Sequence, residues 1–190
     1  MSILAVQVDF QTPSPLALIA MKFFLQVIFI FGVTRILAQE GAPIKNDSLV
    51  LQDENLVTDL FGFGTDPMKY LRSSTQPSPQ TQTQPVRSKH ENNAIDTAYR
   101  FAFGSDIFIV LKTSHGDASV IHADVETPRF KTKQGIGIGM TTADVIKALE
   151  AFKIKSITRY LVLRGDDAKH YVIVYFKAGK VVFMEYFTPP

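Results

Sequence analysis

The sequence predicts an α+β fold built from short helices and antiparallel strand meanders. Two sets of short apolar runs, separated by Gly-containing turns, occur along the chain, and a helical pattern precedes each set. The strand–helix alternation typical of parallel βαβ units is absent. We therefore predict a tandem degenerate repeat of a short helix followed by a three-stranded antiparallel meander, with the helices packed on one face of the sheet.

The N-terminal region contains a pattern typical of a secretory signal. Lys22 is followed by an apolar run that is too short for a permanent membrane anchor, and Ala38 is a small residue suited to a cleavage site. We expect residues 21–38 to be a signal peptide that is cut before Gln39. Residues 1–20 form an acidic, Pro-containing leader upstream of the expected start. The predicted location is therefore the periplasm or the extracellular medium.

Composition narrows the possible functions of the remaining residues 39–190, which suit a single domain. The 190-residue chain has no Cys, which excludes disulfides, thiolate zinc sites, Cys nucleophiles, iron–sulfur clusters and a lipoprotein anchor. Its net charge of +2 comes from interspersed charges rather than from a basic face, so nucleic acid is not an expected partner.

The first helix is predicted near residues 66–72, where Asp66 can cap the helix and Pro67 can occupy its first position. Residues 73–93 are rich in Pro, Gln, Ser and Thr and have almost no large apolar side chain. Such a composition predicts a flexible linker. A proline-rich ligand segment is the alternative, but its prolines do not have the P-x-x-P spacing.

Two meanders are predicted, over residues 97–126 and over residues 157–187. Each comprises three runs of β type bounded by turn residues. The predicted strands are Thr97–Phe103, Ile107–Thr113 and Ala118–Glu126 in the first meander, and Ile157–Arg164, His170–Lys177 and Lys180–Phe187 in the second.

A second helix is predicted over residues 142–152, with Thr141 or Thr142 as its N-cap and Asp144 in its first turn. The preceding GIGIG could be read as a phosphate-binding loop, but it lacks the Lys-Ser/Thr of a P-loop. Both predicted helices follow an apolar-Gly-apolar-Gly stretch and a Thr, which indicates an internal repeat.

The string GMTTADVIKAL, Gly139–Leu149, resembles the helix start of a group of exported bacterial domains. These are related to the small lipoprotein of the outer-membrane β-barrel assembly machine and to the β-lactamase-inhibitor protein. The resemblance implies helices packed against an antiparallel sheet, a function in binding other proteins and, as in the inhibitor family, a tandem repeat. A fainter match lies around Gly64–Leu71, and no functional residue is carried over.

Enzymatic sites are not evident in the sequence. His115 and His122 could meet Asp117 or Asp124 at a metal, but no H-E-x-x-H or comparable cluster exists, and strand or turn histidines are the simpler interpretation. We predict no metal and no cofactor.

Carboxylates and serines likewise lack a catalytic pattern. Asp166 and Asp167 are adjacent turn residues without EF-hand spacing, and neither Ser105 nor Ser119 lies in a G-x-S-x-G elbow. We therefore predict no catalytic residue.

Aromatic residues in the last two predicted strands suggest a binding surface made of Tyr171, Tyr175, Phe183 and Tyr186. Core packing is the alternative, because strands favour aromatic residues.

The predicted function is a non-enzymatic interaction module that binds another envelope or secreted protein. A periplasmic binder of a small apolar ligand and an unrecognised hydrolase are the alternatives, favoured respectively by an apolar cavity and by a cluster of polar residues with shifted pKa values.

Overall fold

A computed structural model describes residues 48–73, 78–88, 94–166 and 169–188. The expected leader, the signal peptide and the cleavage point between Ala38 and Gln39 lie outside the described residues. The described part of the chain contains one eight-stranded sheet and three short α-helices. The predicted α+β class is therefore confirmed.

The elements occur in the following order along the chain. They are β1 (Ser48–Gln52), α1 (Glu54–Val57), α2 (Pro67–Ser73), β2 (Gln80–Arg87), β3 (Ile95–Phe103), β4 (Asp106–Lys112), β5 (Ala118–Val125), α3 (Thr142–Ala148), a 3₁₀ turn (Glu150–Phe152), β6 (Tyr160–Arg164), β7 (Tyr171–Lys177) and β8 (Lys180–Phe187).

The strand order in the sheet is β1-β6-β7-β8-β5-β4-β3-β2. Neighbouring strands are antiparallel except β1, which pairs in parallel with β6. Strands β3–β5 and β6–β8 form two meanders, and these join where residues 122–125 of β5 pair with residues 184–187 of β8. The predicted antiparallel sheet is thus present, with one parallel pair that the sequence did not indicate.

Strand β2 lies in the segment that the sequence predicts to be a flexible linker. Its eight residues pair with β3 from Gln80↔Ala102 to Arg87↔Ile95. Because it is an outer strand, β2 needs backbone pairing but little apolar surface, and its side chains alternate between exposed and half-buried. Composition therefore misled the prediction over residues 80–87.

The helices begin where their caps predict. Asp66 accepts a hydrogen bond from the Lys69 N–H (2.9 Å), just before α2 starts at Pro67. At α3 the Thr141 hydroxyl and the Asp144 carboxylate form a reciprocal capping box. Helix α3 ends earlier than the predicted residue 152, because its last turn tightens into a 3₁₀ turn and Lys153 adopts a left-handed conformation with φ 51°.

The core lies against one face of the sheet, which we call the core face. It contains side chains from all three helices, from the loop between α1 and α2, and from alternate positions of the strands. The helix and loop members include Leu56, Val57, Leu60, Phe61, Phe63, Met68, Leu71, Val145 and Leu149, and the strand members include Phe101, Phe108, Val110, Ala123, Leu161, Leu163, Val172, Val174, Met184 and Tyr186.

Candidate functional site on the second sheet face

The other face of the sheet, which we call the second face, carries the strand residues that alternate with those of the core. None of them belongs to the core cluster that contains the helix residues. In its centre, the second face consists of Tyr160, Val162, Tyr171, Ile173, Tyr175, Phe183, Glu185, Phe187, His122, Asp124, Ile107, Ile109 and Arg100.

Three of the four aromatic residues predicted to form an interaction surface lie on this face. Tyr171, Tyr175 and Phe183 occupy pairing positions of β7 and β8 that point to the same side. Tyr186 lies on the opposite side because it is offset by an odd number of residues from Phe183. It is 8% exposed, and its ring packs edge-on against Phe61 at 6.2 Å in the core.

The aromatic side chains on the second face contact one another across strands. Tyr175 has Tyr160 on one side, with ring centroids 5.4 Å apart, and Phe183 on the other side at 5.2 Å. Tyr171 packs against Phe187 at 5.4 Å. These contacts hold the rings in defined orientations before any ligand binds.

Two carboxylates lie at the centre of the second face, where the two meanders meet. Asp124 of β5 is directly opposite Glu185 of β8. The Tyr175 hydroxyl donates a hydrogen bond to Glu185 Oε2 (2.9 Å), and His122 Nε2 lies 3.2 Å from Asp124 Oδ1. Over the ranges that the structure describes, no Lys, Arg or His side chain forms an ion pair with Glu185.

Burial and neighbouring charges shift the pKa values of Tyr171, Tyr175 and Arg100 on the second face. Burial, followed by the negative charge of Glu185, raises the pKa of Tyr171 to about 12, and the same two causes raise the pKa of Tyr175 well above its usual value. Both phenols are therefore neutral at physiological pH, which allows Tyr175 to act as a donor. Burial lowers the pKa of Arg100, and the nearby Asp124 partly opposes this effect.

No protein-family model, curated protein or solved structure matches this chain. In the described residues, no helix combines the length and the apolar character that crossing a bilayer requires.

The other candidate residues are dispersed. His122 and Asp124 come together in β5, whereas His115 and Asp117 lie in the turn that precedes this strand. The described ranges contain no group of three His, Asp or Glu side chains that could hold a metal. Asp166 lies in a turn, and its backbone N–H donates to Glu54 Oε2 (3.1 Å). Asp167 lies outside the described residues.

The Gly-rich stretch before α3 serves as a structural connection. The Gly139 N–H donates to the Val181 carbonyl (2.8 Å), and the Thr142 N–H donates to the Gly179 carbonyl (2.9 Å). These N–H groups are therefore used in packing the loop against β8 and its hairpin. They are not available for a phosphate.

A cavity lies between the loop that precedes α2 and strand β5. It has a volume of about 180 Å³ and is lined by residues that include Phe61, Phe63 and Tyr186. Sites for drug-sized ligands typically measure ~300–1,000 Å³, so this cavity can hold at most a very small molecule. A second depression of about 760 Å³ lies between α2 and the β4–β5 turn, and its lining is mainly polar, with Asp66, Lys69 and Arg72 among its residues. The small size of the first and the polar lining of the second argue against the alternative of a small apolar ligand.

Proposed function

We propose that this chain is an exported, non-enzymatic module that binds another envelope or secreted protein through the second sheet face. The observation that carries the proposal is the asymmetry of the sheet. The described helices contribute to the core on one face. On the other face, Tyr160, Tyr175 and Phe183 are half-buried around a pair of carboxylates, whereas Tyr171 and Phe187 are each only 2% exposed. Tyr and Phe are enriched at protein interfaces, where they act as rigid anchors.

The aromatic contacts support this function energetically. Tyr175 is held between Tyr160 and Phe183, so it loses little side-chain freedom when a partner packs against it. Such preorganisation lowers the entropic cost of association. A strand-based surface also keeps its shape better than a surface made of loops.

The charges on the second face indicate a partner with a basic side chain. Asp124 and Glu185 face each other across neighbouring strands, and like charges in this arrangement are unfavourable. His122 and Arg100 lie near Asp124, whereas Glu185 receives a hydrogen bond from neutral Tyr175. A Lys or Arg of the partner, placed over Glu185 between the aromatic rings, would relieve this repulsion.

The tandem repeat belongs to the same proposal. Reading outward from the β5–β8 pair, one half of the sheet runs β5-β4-β3-β2 and the other runs β8-β7-β6-β1. The outer strands break this symmetry, because β2 is antiparallel to β3 whereas β1 is parallel to β6. The two three-stranded meanders therefore carry the support for a duplicated unit. The sequence resemblance of Gly139–Leu149 to exported binding domains is consistent with such a module, and export itself rests on residues 21–38.

Affinity capture with a variant series tests the proposed function. The tagged chain is incubated with detergent-solubilised envelope and with culture medium, and stoichiometric partners are identified by mass spectrometry. Tyr175→Ser and Phe183→Ser should each weaken capture roughly tenfold or more, as expected for an aromatic hot spot. Ile95→Ser is the matched control, because Ile95 is 64% exposed at the start of β3.

Circular dichroism must first show that the three variants are folded. A partner that is captured equally well by all of them would not use the second face, and the proposal would then be wrong. A dominant partner lost only with the Tyr175 and Phe183 substitutions would establish the interaction module.

A further inference from the structure

Strand β2 ends the sheet and leaves one edge of its backbone unpaired with any described strand. The Ser88 N–H donates to the Ala94 carbonyl (3.0 Å), in register with the pairing of Gln82 and Arg100. Hydrogen-bonded pairs alternate along an antiparallel ladder, so even-numbered residues of β2 bond to β3. The N–H and C=O groups of Thr81 and Thr83 therefore point away from the sheet.

The sequence of this edge is a palindrome. Residues 79–85 read PQTQTQP, which is identical in both directions about Gln82. If two such strands paired in antiparallel orientation about Gln82, every residue would lie opposite a residue of the same type. Gln82 would lie opposite Gln82, and each Thr81 would lie opposite the Thr83 of the other copy.

The outward-pointing groups match in the same register. Thr81 and Thr83 are both outward positions, so their N–H and C=O groups can form hydrogen-bonded pairs between copies. Pro79 and Pro85 are also odd-numbered residues that would meet each other. Neither has an N–H to donate, so the prolines would end the ladder on both sides.

Strand β2 lacks, in all but its last residue, the charged side chains that usually protect a sheet edge. Edge strands commonly carry Lys or inward-pointing charges that prevent pairing with another chain. Residues 73–86 contain no charged residue, and the first charge comes at Arg87, beyond the palindrome. The uncharged stretch therefore coincides with the self-complementary one.

We propose that two copies of this chain join along β2 into a two-fold symmetric dimer centred on Gln82. The sheets of the two copies become continuous, and their second faces lie on the same side because directly opposite residues of antiparallel strands point alike. The ladder is short, so the association is weak and concentration-dependent. This inference does not depend on the proposed function.

Engineered cysteines test the register, because the chain has no Cys of its own. Gln82 would form a non-hydrogen-bonded pair with its counterpart, with Cα atoms ~4.5 Å apart, which is within the range for a disulfide. Gln82→Cys should therefore yield a disulfide-linked dimer under mild oxidation. Thr81→Cys and Thr83→Cys are the matched controls, because their symmetry-related sulfurs would be too far apart.

Equal cross-linking of the three variants, or none with Gln82→Cys at millimolar protein, would overturn the proposal. A complementary test uses sedimentation velocity on Gln82→Lys and Gln82→Glu, which place like charges opposite each other at the two-fold axis. Each variant alone should be monomeric where the unmodified chain dimerises, and an equimolar mixture should regain the dimer. Charge variants that associate as well as the unmodified chain would also overturn it.

Discussion

Asp124 and Glu185 lie directly opposite each other on strands β5 and β8, where the two meanders join into one sheet. The pair is bordered by Tyr175, whose hydroxyl donates to Glu185, and by His122, whose ring nitrogen lies 3.2 Å from Asp124. Two carboxylates at a seam between strands cost stability in the isolated chain. In the proposed complex, a basic side chain of the partner placed over Glu185 would offset this cost.

Neutralising Glu185 should lower the pKa values of the neighbouring phenols. The negative charge of Glu185 is a cause of the raised pKa of both Tyr171 and Tyr175, although burial is the larger cause. In Glu185→Gln, an absorbance titration of the phenolates should show these pKa values decreasing without reaching the usual value of ~10. Glu150→Gln on the exposed 3₁₀ turn is the control and should leave the titration unchanged.

Stability should decrease between pH 10 and pH 12. The pKa of Tyr171 is about 12 in the folded chain, whereas an unperturbed Tyr has a pKa of ~10, so the unfolded state loses this proton first as the pH rises. The contribution of the neutral phenol is complete below pH ~10 and is lost as the pH rises toward the folded-state value. Urea unfolding at several pH values should show a smaller decrease for Tyr171→Phe than for the unmodified chain. An equal decrease would contradict the assignment.

Tyr186 and Phe183 should differ in their effect on stability, although both are aromatic residues of β8. Tyr186 is buried in the core against Phe61, whereas Phe183 is half-buried on the second face. Replacing a buried aromatic residue by Ala typically costs about 3–5 kcal/mol. We expect Tyr186→Ala to reduce the free energy of unfolding by about this amount and Phe183→Ala by much less, as measured by denaturant titration.

Asp106 should be important for anchoring the chain segment after β5. Its side chain is fully buried, and Oδ1 accepts hydrogen bonds from the N–H groups of Glu126 (2.8 Å) and Thr127 (2.9 Å). Asp106→Ala would remove the acceptor of these part-buried N–H groups, at a cost of about 1–3 kcal/mol in total. Asp117→Ala in the exposed β4–β5 turn is the comparison, and an equal loss of stability in thermal unfolding would contradict this role.

The strands and helices with strong local patterns could be predicted from the sequence. The turn residues Gly104 and Gly116 mark the corners of the first meander, and Pro67 marks the start of α2. Strand β2 was not predicted, because its Gln and Thr side chains have no apolar alternation. Its order comes from backbone pairing with β3, which depends on a segment later in the chain.

The candidate site was predicted only in part for a similar reason. The sequence predicts one aromatic surface, and the structure places Tyr171, Tyr175 and Phe183 on one sheet face. Tyr186, predicted for the same surface, packs in the core on the other face. The carboxylate pair was not foreseen, since Asp124 and Glu185 are far apart in sequence. Only the pairing of β5 with β8 brings them together.

The sequence by itself determined the α+β class, the caps of α2 and α3, and the antiparallel meanders. These features follow from alternation, capping and turn residues, which act between near neighbours in the chain. The tertiary structure alone decided the order of the strands, the parallel pairing of β1, the edge position of β2 and the meeting of Asp124 with Glu185. Those features depend on contacts between segments that are distant in the sequence, so local sequence patterns do not predict them.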